Sequence, residues 1–295
     1  MGRMIGSSSI SFDKPPFIIE GASIVGQKEG DGPLGKLFDV VEQDPMLGQE
    51  TWEEAESLLQ KEAIQKLLFK AGMSKEEIRY IFGGDLLGQL IATTFGILEF
   101  EVPFFGLYGA CSTMGEALSL GAVMVEAGNA YNVIAMASSH FASAERQFRF
   151  PLAYGNQRPY AATWTVTGCG AVIISTKKGF AKITGITTGK IVDFGVKDAQ
   201  NMGACMAPAA ADVIYQHFKD FNSTPADYDK IITGDLGLIG KSILFELLKE
   251  KGYDISAVHM DCGVEMFDAS EQTLNDSFKV ESGSMNLVQA MFLNS

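Results

Sequence analysis

Cys111 lies in a sequence context that favours a reactive thiol. Residues 104–108 form an apolar run of the length that a buried strand needs, and a helix then opens at Ser112 and closes at Gly128. A cysteine at a strand-to-helix turn meets free N–H groups and the positive end of the helix dipole, which favour the thiolate. The other interpretation is a small, inert, buried side chain, and both stay open at this point.

Asp85 and Asp235 occupy equivalent places in a repeated pattern. The first copy reads IRYIFGGDLLG and the second reads YDKIITGDLG, with the two aspartates 150 residues apart. Each aspartate follows an apolar strand and a glycine, and each precedes a helix. Aspartate is a good helix N-cap, so a structural role is one interpretation. The other is that each carboxylate lines a pocket at the strand ends.

His140 and three arginines are further candidates for binding a ligand. His140 ends the strand that follows the cysteine helix, where strand ends gather around a site, although a structural histidine is the alternative. Arg146, Arg149 and Arg158 stand out in a chain of formal net charge −13. A planar guanidinium group can hold a carboxylate by two hydrogen bonds. The alternative is that these arginines are solvated surface residues.

Strands and helices alternate along the chain, which predicts an α/β fold with a mostly parallel sheet covered on both faces. Thr51 and Glu54 form a capping box at the start of a long helix. Residues 1–16 read as a loose lead, and residues 17–26, 168–175 and 190–194 read as strands. Because the strand-Gly-Asp pattern recurs, we predict two duplicated halves, residues 1–178 and residues 179–295.

Composition excludes several classes of function. The net charge of −13 and a pI near 4.7 argue against nucleic acid as a partner and against electrostatic docking on anionic lipid. Four widely spaced cysteines without a CxxC pair indicate free thiols in a cytoplasmic compartment. Three histidines without metal-ligand spacing predict no metal site, and we expect no cofactor. No apolar run is long enough to predict a membrane span.

Four phrases resemble a known family: GACSTMGEAL, MASSHF, FRFPLAYGNQRPYAATWTVTGCGAVI and ITGDLG. They resemble the stage V sporulation protein AD family, thiolase-like proteins of spore-forming bacteria in the thiolase and ketoacyl-synthase superfamily. The resemblance covers roughly residues 10–270. It implies a thiolase-like αβαβα five-layered fold built from two duplicated halves.

The resemblance also implies a function. The family binds dipicolinic acid (pyridine-2,6-dicarboxylate), free or as its calcium chelate, and helps to move it into the developing spore without catalysing a reaction. The expected partners are other stage V sporulation transport proteins, which would hold the chain at the periphery of the spore inner membrane. A homodimer through residues 104–108 is also expected. The residues expected to bind the ligand are Cys111, Asp85, His140, Arg149 and Asp235.

An acyltransferase that uses Cys111 as its nucleophile is the alternative function. Acyl transfer by a cysteine needs a base and oxyanion partners, usually histidines or an asparagine. In condensing relatives one such histidine lies at the second-half strand end that here carries Asp235. An ionised aspartate cannot donate a hydrogen bond to an oxyanion, which weighs against the enzyme. A purely structural subunit of a membrane transport assembly is the third hypothesis.

The C-terminal residues depart from the internal repeat. By analogy with the first copy, the second half would need about 45 residues beyond Asp268 for its last helix and strand. Only 27 residues follow Asp268, and they lack a glycine-rich turn. We therefore expect the second half to be incomplete after about residue 268, residues 270–295 to pack loosely, and the chain to be marginally stable.

Thermal unfolding measured beside a version with a complete second half tests this expectation. The present chain should unfold at the lower temperature. Equal midpoints and equal cooperativity in the two proteins would contradict it.

Overall fold

The computed structural model describes residues 2–148, 165–197 and 201–267. Within these ranges the chain forms twelve strands and eight α-helices. In chain order they are β1 (Arg3–Ile5), β2 (Ser9–Ser11), β3 (Phe17–Gly26), α1 (Gln27–Gly30), β4 (Val40–Glu42), α2 (Trp52–Ala71), β5 (Tyr80–Gly84), α3 (Ile91–Gly96), β6 (Phe104–Gly106), α4 (Thr113–Glu126), β7 (Asn132–Ser139), α5 (Phe141–Phe148), β8 (Gly168–Ser175), β9 (Ala181–Lys182), β10 (Gly185–Thr187), α6 (Met202–Phe221), β11 (Ile231–Thr233), α7 (Gly237–Glu250), β12 (His259–Asp261) and α8 (Cys262–Met266).

A seven-stranded mixed sheet organises the first half. Its order is β4-β3-β8-β7-β5-β6, and β9 pairs with the start of β3. β7, β5 and β6 run parallel to one another, whereas β8 is antiparallel to both of its neighbours. The predicted strands 17–26 and 168–175 are therefore confirmed as β3 and β8, which are adjacent in this sheet.

Two helices cover the two faces of this sheet. On one face Leu59, Ile64 and Leu67 of α2 pack against Ile173 of β8 and Ile134 of β7. α2 begins with the predicted Thr51–Glu54 capping box and ends at Gly72, which adopts a left-handed conformation with φ 61°. The terminal backbone groups of this 20-residue helix are thus hydrogen-bonded at both ends. Packing of its apolar stripe then holds the helix on the sheet.

The opposite face packs against α4. Met114, Ala117 and Val125 of this helix contact Val172 and Ile174 of β8, together with residues of β7. Successive residues of β8 therefore point alternately to α2 and to α4, and all eight are buried. The prediction of a sheet covered on both faces is confirmed.

The described part of the second half contains a shorter sheet. β11 and β12 pair in parallel, and α6 packs along α7. A cluster that includes Phe218, Leu244 and Leu248 forms the core of this part. α8 then packs on the first half, because Met266 shares a cluster with Val25. The predicted boundary between residues 178 and 179 stays a prediction.

The expected loose lead at residues 1–16 is wrong. β2 pairs with both β1 and β10 in a separate three-stranded sheet. Asp220 of α6 holds the turn between β1 and β2, since its carboxylate accepts hydrogen bonds from the Ser7 and Ser8 backbone N–H groups at 3.1 and 3.0 Å and from the Ser9 hydroxyl at 2.8 Å. These partners are more than 200 residues apart in sequence, so no local pattern could indicate them.

The strand predicted at residues 190–194 is also wrong, since these residues are largely exposed and lie outside any strand. The prediction of an incomplete, loosely packed second half concerns residues that lie outside the described ranges. Among the helices that are described, none is both long enough and apolar enough to cross a membrane.

Candidate functional site

Cys111 lies at a strand-to-helix turn, as predicted. This turn, residues 107–113, is called the cysteine elbow below. β6 ends at Gly106, the Leu107 N–H donates to the Gly83 carbonyl at 2.8 Å, and a 3-10 turn over Ala110–Ser112 leads into α4. Ala110 has a φ of 49°, a backbone conformation that residues other than glycine adopt rarely. Cys111 is partly buried.

A carboxylate lies in the first turn of the elbow helix. The Ser112 hydroxyl is 2.8 Å from both the Gly109 carbonyl and the Glu116 carboxylate. The Glu116 charge offsets part of the positive end of the helix dipole, on which the argument for a thiolate depends. The thiolate form of Cys111 is therefore less favoured than the sequence pattern alone suggested. This suits a thiol that contacts a ligand better than it suits a nucleophile.

The elbow packs closely on the loop that carries Asp85, residues 85–90, called the Asp85 loop below. A Cβ atom added to Gly84 would lie 2.0 Å from the Leu107 carbonyl oxygen, so only glycine fits there. The Tyr108 hydroxyl lies 3.4 Å from the Leu86 carbonyl. The structure thus brings Cys111 and Asp85 to neighbouring loops at the carboxyl ends of β5 and β6.

Asp85 is buried, and both of its carboxylate oxygens are engaged. Oδ1 accepts the Leu87 N–H at 2.7 Å, and Oδ2 accepts the Thr93 N–H at 2.7 Å and the Thr93 hydroxyl at 2.5 Å. Burial raises the pKa of Asp85 above its ordinary value, and the hydrogen bonds from Thr93 and Leu87 offset part of this rise. Asp85 satisfies an N–H group in the first turn of α3, although the N-cap residue itself is Leu90. Its contacts match the structural interpretation.

His140 is fully buried, with both ring nitrogens in use. Nε2 lies 2.8 Å from the Pro45 carbonyl, and Nδ1 accepts the Ala142 N–H at 3.2 Å. Nε2 therefore carries the proton. Burial lowers the pKa of His140, which keeps the ring neutral between the aromatic rings of Trp52 and Phe141. These contacts are those of a structural histidine, and its role in ligand binding stays a prediction.

Asp235 is buried in the second half, where it does not cap a helix. α7 has Leu236 as its N-cap residue and no side-chain cap bond, so the N-cap interpretation is wrong for Asp235. The carboxylate instead lies against Gly263, where an added Cβ would come within 2.0 Å of Oδ1. It also lies near Cys262. The pKa of the Cys262 thiol is raised first by burial, then by the Asp261 charge and then by the Asp235 charge.

Asp261 is the capping aspartate that sequence reasoning missed. Its Oδ1 accepts the N–H groups of Gly263 and Val264 at 3.1 Å each, and its Oδ2 accepts the Leu236 N–H at 2.8 Å. Asp261 thereby joins the start of α8 to the start of α7. The available signal was an aspartate directly after the apolar run that ends at Met260.

Glu56 is a second residue that sequence reasoning missed. It lies on α2 beside the apolar stripe and is fully buried. Its carboxyl oxygens lie 2.8 Å from the Ser138 hydroxyl and 2.6 Å from the Ser143 hydroxyl. Burial raises the pKa of Glu56 to about 8, with a further contribution from the Asp85 charge. The signal was a glutamate next to Ala55 on a helix whose stripe is otherwise apolar.

The remaining predicted site residues are not all described. Arg149 and Arg158 lie outside the described ranges, whereas Arg146 forms an ion pair with Glu53. All four cysteines are free of disulfide bonds. Among the residues that the structure describes, no group of three or more histidine, cysteine or acidic side chains could hold a metal ion.

Comparison with known proteins identifies the family. The family model of Stage V sporulation protein AD matches residues 6–289. The chain belongs to this family. Its relative Stage V sporulation protein AD of Bacillus subtilis (strain 168) is 43% identical over 270 residues, which cover 92% of this chain and 80% of the relative. The resemblance seen in the four sequence phrases is therefore confirmed, and with it a place among sporulation proteins.

Solved structures confirm the thiolase-like fold. The tetronic acid condensing enzyme AbyA1 matches with a TM-score of 0.59 and 14% identity over 94% of this chain and 91% of that chain. The 3-oxoacyl-[acyl-carrier-protein] synthase III of Aquifex aeolicus VF5 matches with a TM-score of 0.57 and 14% identity over 94% of this chain and 89% of that chain. At such low identity the likeness concerns the fold alone.

The contact between Gly84 and the elbow leads to a prediction. Gly84→Ala should displace the Leu107 carbonyl and destabilise the protein by about 1–3 kcal/mol, the usual cost of overpacking. Gly115→Ala is the matched control, because nothing lies within 4 Å of the added Cβ and alanine favours a helix. Chemical denaturation should rank the two variants on opposite sides of the wild type. Equal stability of both variants would contradict the close approach at Gly84.

Proposed function

We propose that this protein binds dipicolinic acid beside the cysteine elbow, without catalysing a reaction, and takes part in its uptake into the developing spore. Membership of a sporulation family supports the biological setting. The observation that carries the non-catalytic part is that each of the three histidines of the chain hydrogen-bonds to a structural partner, whereas acyl transfer would need a base for the elbow cysteine.

Each histidine has its own structural contacts. His140 uses both ring nitrogens on backbone groups, as described above. His217 lies 2.7 Å from the Thr187 hydroxyl through Nδ1 and 2.7 Å from the Tyr228 hydroxyl through Nε2. His259 is buried against Phe245 and lies 3.0 Å from the Thr233 hydroxyl, and burial lowers its pKa to about 4. These contacts weigh against acyl transfer.

Charge indicates which form of the ligand would bind. Dipicolinate carries two carboxylates, whereas the described surroundings of the elbow contribute the acidic groups Asp85 and Glu116. A dianion needs compensating cations there, since unpaired like charges repel. Arg149 is the sequence candidate for one of them, and a chelated calcium ion would supply more positive charge. We therefore expect calcium to strengthen binding.

Isothermal titration with dipicolinate, with and without calcium, tests the proposal. Cys111→Ala should weaken the affinity by about tenfold, which corresponds to about 1.4 kcal/mol. Cys205→Ala is the matched control, because Cys205 is exposed on α6. Unchanged affinity in Cys111→Ala would remove the elbow from the site, and absence of binding to the wild type would refute the function.

Acyl transfer is the outcome to exclude in the same preparation. Incubation with acetyl- or malonyl-coenzyme A should leave Cys111 unmodified and release no free coenzyme A. A covalent acyl-enzyme that forms on Cys111 in the wild type would favour the acyltransferase instead.

Pairing of two copies through β6 belongs to the same proposal. β6 lies at the edge of the sheet, where its outer backbone groups can pair with another strand. Phe105 and Tyr108 are 45% and 58% exposed, which leaves apolar surface beside this edge. We further propose that the transport proteins of the same sporulation stage hold this dimer at the periphery of the spore inner membrane.

Light scattering at micromolar concentration tests the dimer. The wild type should scatter as a dimer, and Phe105→Asp should shift it towards the monomer. Phe69→Asp serves as the control, since Phe69 is 83% exposed on α2. A monomeric wild type would rule out this pairing.

A further inference from the structure

A buried chain of hydrogen bonds starts at Asp85. The Thr93 hydroxyl donates to the Asp85 carboxylate, and Gln60 Nε2 donates to the Thr93 hydroxyl at 3.1 Å. The same Nε2 group also donates to the Ser138 hydroxyl at 2.6 Å. Ser138 in turn donates to Glu56 at 2.8 Å. The chain thus crosses from the Asp85 loop through α2 to the end of β7 without reaching the surface.

The chain continues from Glu56 to His140. The Ser143 hydroxyl lies 2.6 Å from Glu56 Oε2 and 3.2 Å from the His140 carbonyl. A hydroxyl group has a single hydrogen to donate. If Glu56 is protonated, it donates to Ser143, and Ser143 is then free to donate to His140. If Glu56 is ionised, Ser143 must donate to Glu56, and the link to His140 is lost.

The charges around Glu56 favour its neutral form. Asp85 and Glu53 both add negative potential, and Glu53 is paired with Arg146 of α5. Cys169 of β8 is a buried thiol whose pKa is raised by burial and by Glu56 itself. His140 is neutral. In the described part of the chain, the hydrogen-bond partners of the Glu56 carboxyl group are two hydroxyl groups, which donate more weakly than a cation would.

We propose that Glu56, in its neutral form, is a positioning residue that ties the Asp85 loop to the turn formed by residues 139–144. The two ends of this chain are residues expected to bind the ligand, so Glu56 would hold two sides of the site in one arrangement. The effect on ligand affinity rests on the proposed function, whereas the coupling of the two segments does not.

This role has a pH dependence with a definite sign. The pKa of Glu56 rises from 4.5 to about 8 on folding, so the native state holds a proton that the unfolded state has lost. The stabilising contribution is complete below pH 4.5 and is lost as the pH rises through about 8. Over this window unfolding of the wild type should release about one proton through this residue.

Glu56→Gln is the decisive variant, because its carbonyl oxygen accepts and its NH₂ group donates at the positions of the two oxygens of a neutral acid. This variant should keep the hydrogen-bond chain intact and remove the proton release on unfolding. Glu56→Ala should break the hydrogen-bond chain. Glu62→Gln is the matched control on the same helix, at a partly exposed glutamate. Ser138→Ala breaks the hydrogen-bond chain at a different residue and replaces Glu56→Ala if that variant does not fold.

Two measurements decide the proposal without any ligand. Difference infrared spectroscopy between wild type and Glu56→Gln should show a protonated carboxyl band at neutral pH that disappears above pH 8. Hydrogen exchange should show faster exchange in residues 85–93 and 139–144 together in Glu56→Ala, and in neither segment in Glu56→Gln or Glu62→Gln. An ionised Glu56 at neutral pH, or exchange that changes in one segment alone, would overturn the proposal.

Titration of dipicolinate into the same variants connects the coupling to function. The wild type should lose affinity severalfold between about pH 6 and about pH 9, where the carboxyl groups of the ligand stay ionised. Glu56→Gln should bind with an affinity that varies much less with pH. A ligand that binds neither protein would refute the proposed function and leave the infrared and exchange results to decide on Glu56. Equal pH dependence in both would overturn its role in binding.

Discussion

The hydrogen-bonded pairing of β8 with β3 on one side and β7 on the other is the interaction on which the rest of the structure depends. β8 joins the two parts of the seven-stranded sheet, since β4 and β9 attach through β3 and the parallel strands attach through β7. All eight of its residues are buried. Its backbone groups must therefore be paired, because an unpaired buried polar group costs roughly 1–3 kcal/mol.

The alternation of side chains along this central strand also sets the layers. Cys169, Ala171 and Ile173 point towards α2, while Val172 and Ile174 point towards α4. The two helices are thereby held at fixed distances from the carboxyl ends of β5 and β7. The Asp85 loop, the cysteine elbow and His140 all follow strands or turns at that edge. A rigid sheet with functional residues on its loops is the general way in which such folds position a site.

Among the buried carboxyl groups, Asp85, Asp261 and Glu56 are stabilised in two different ways. Asp85 and Asp261 each accept several backbone N–H bonds, which suit an ionised carboxylate. Among the described residues, Glu56 hydrogen-bonds to two hydroxyl groups, which both donate and accept and therefore suit a neutral acid equally well. The difference follows from place. The two aspartates lie beside helix starts, where free N–H groups are plentiful, whereas Glu56 lies in the second turn of α2, where the backbone N–H groups are already used within the helix.

Local sequence patterns were enough to predict β3, β8, α2 and the strand-to-helix turn at Cys111. Apolar runs, capping boxes and terminal glycines act over a few residues, so they can be recognised without the fold. The family resemblance likewise rests on contiguous phrases, and it predicted the thiolase-like architecture.

Only the tertiary structure decided which side chains meet. It showed that β6 is an exposed sheet edge rather than a buried strand, that β2 pairs with β10, and that Asp261 rather than Asp235 caps a helix. It also buried Glu56 between Ser138 and Ser143, residues more than 80 positions away. These outcomes depend on distances between segments remote in sequence. Local propensity carries no information about such distances, because burial and pairing arise only when the segments pack together.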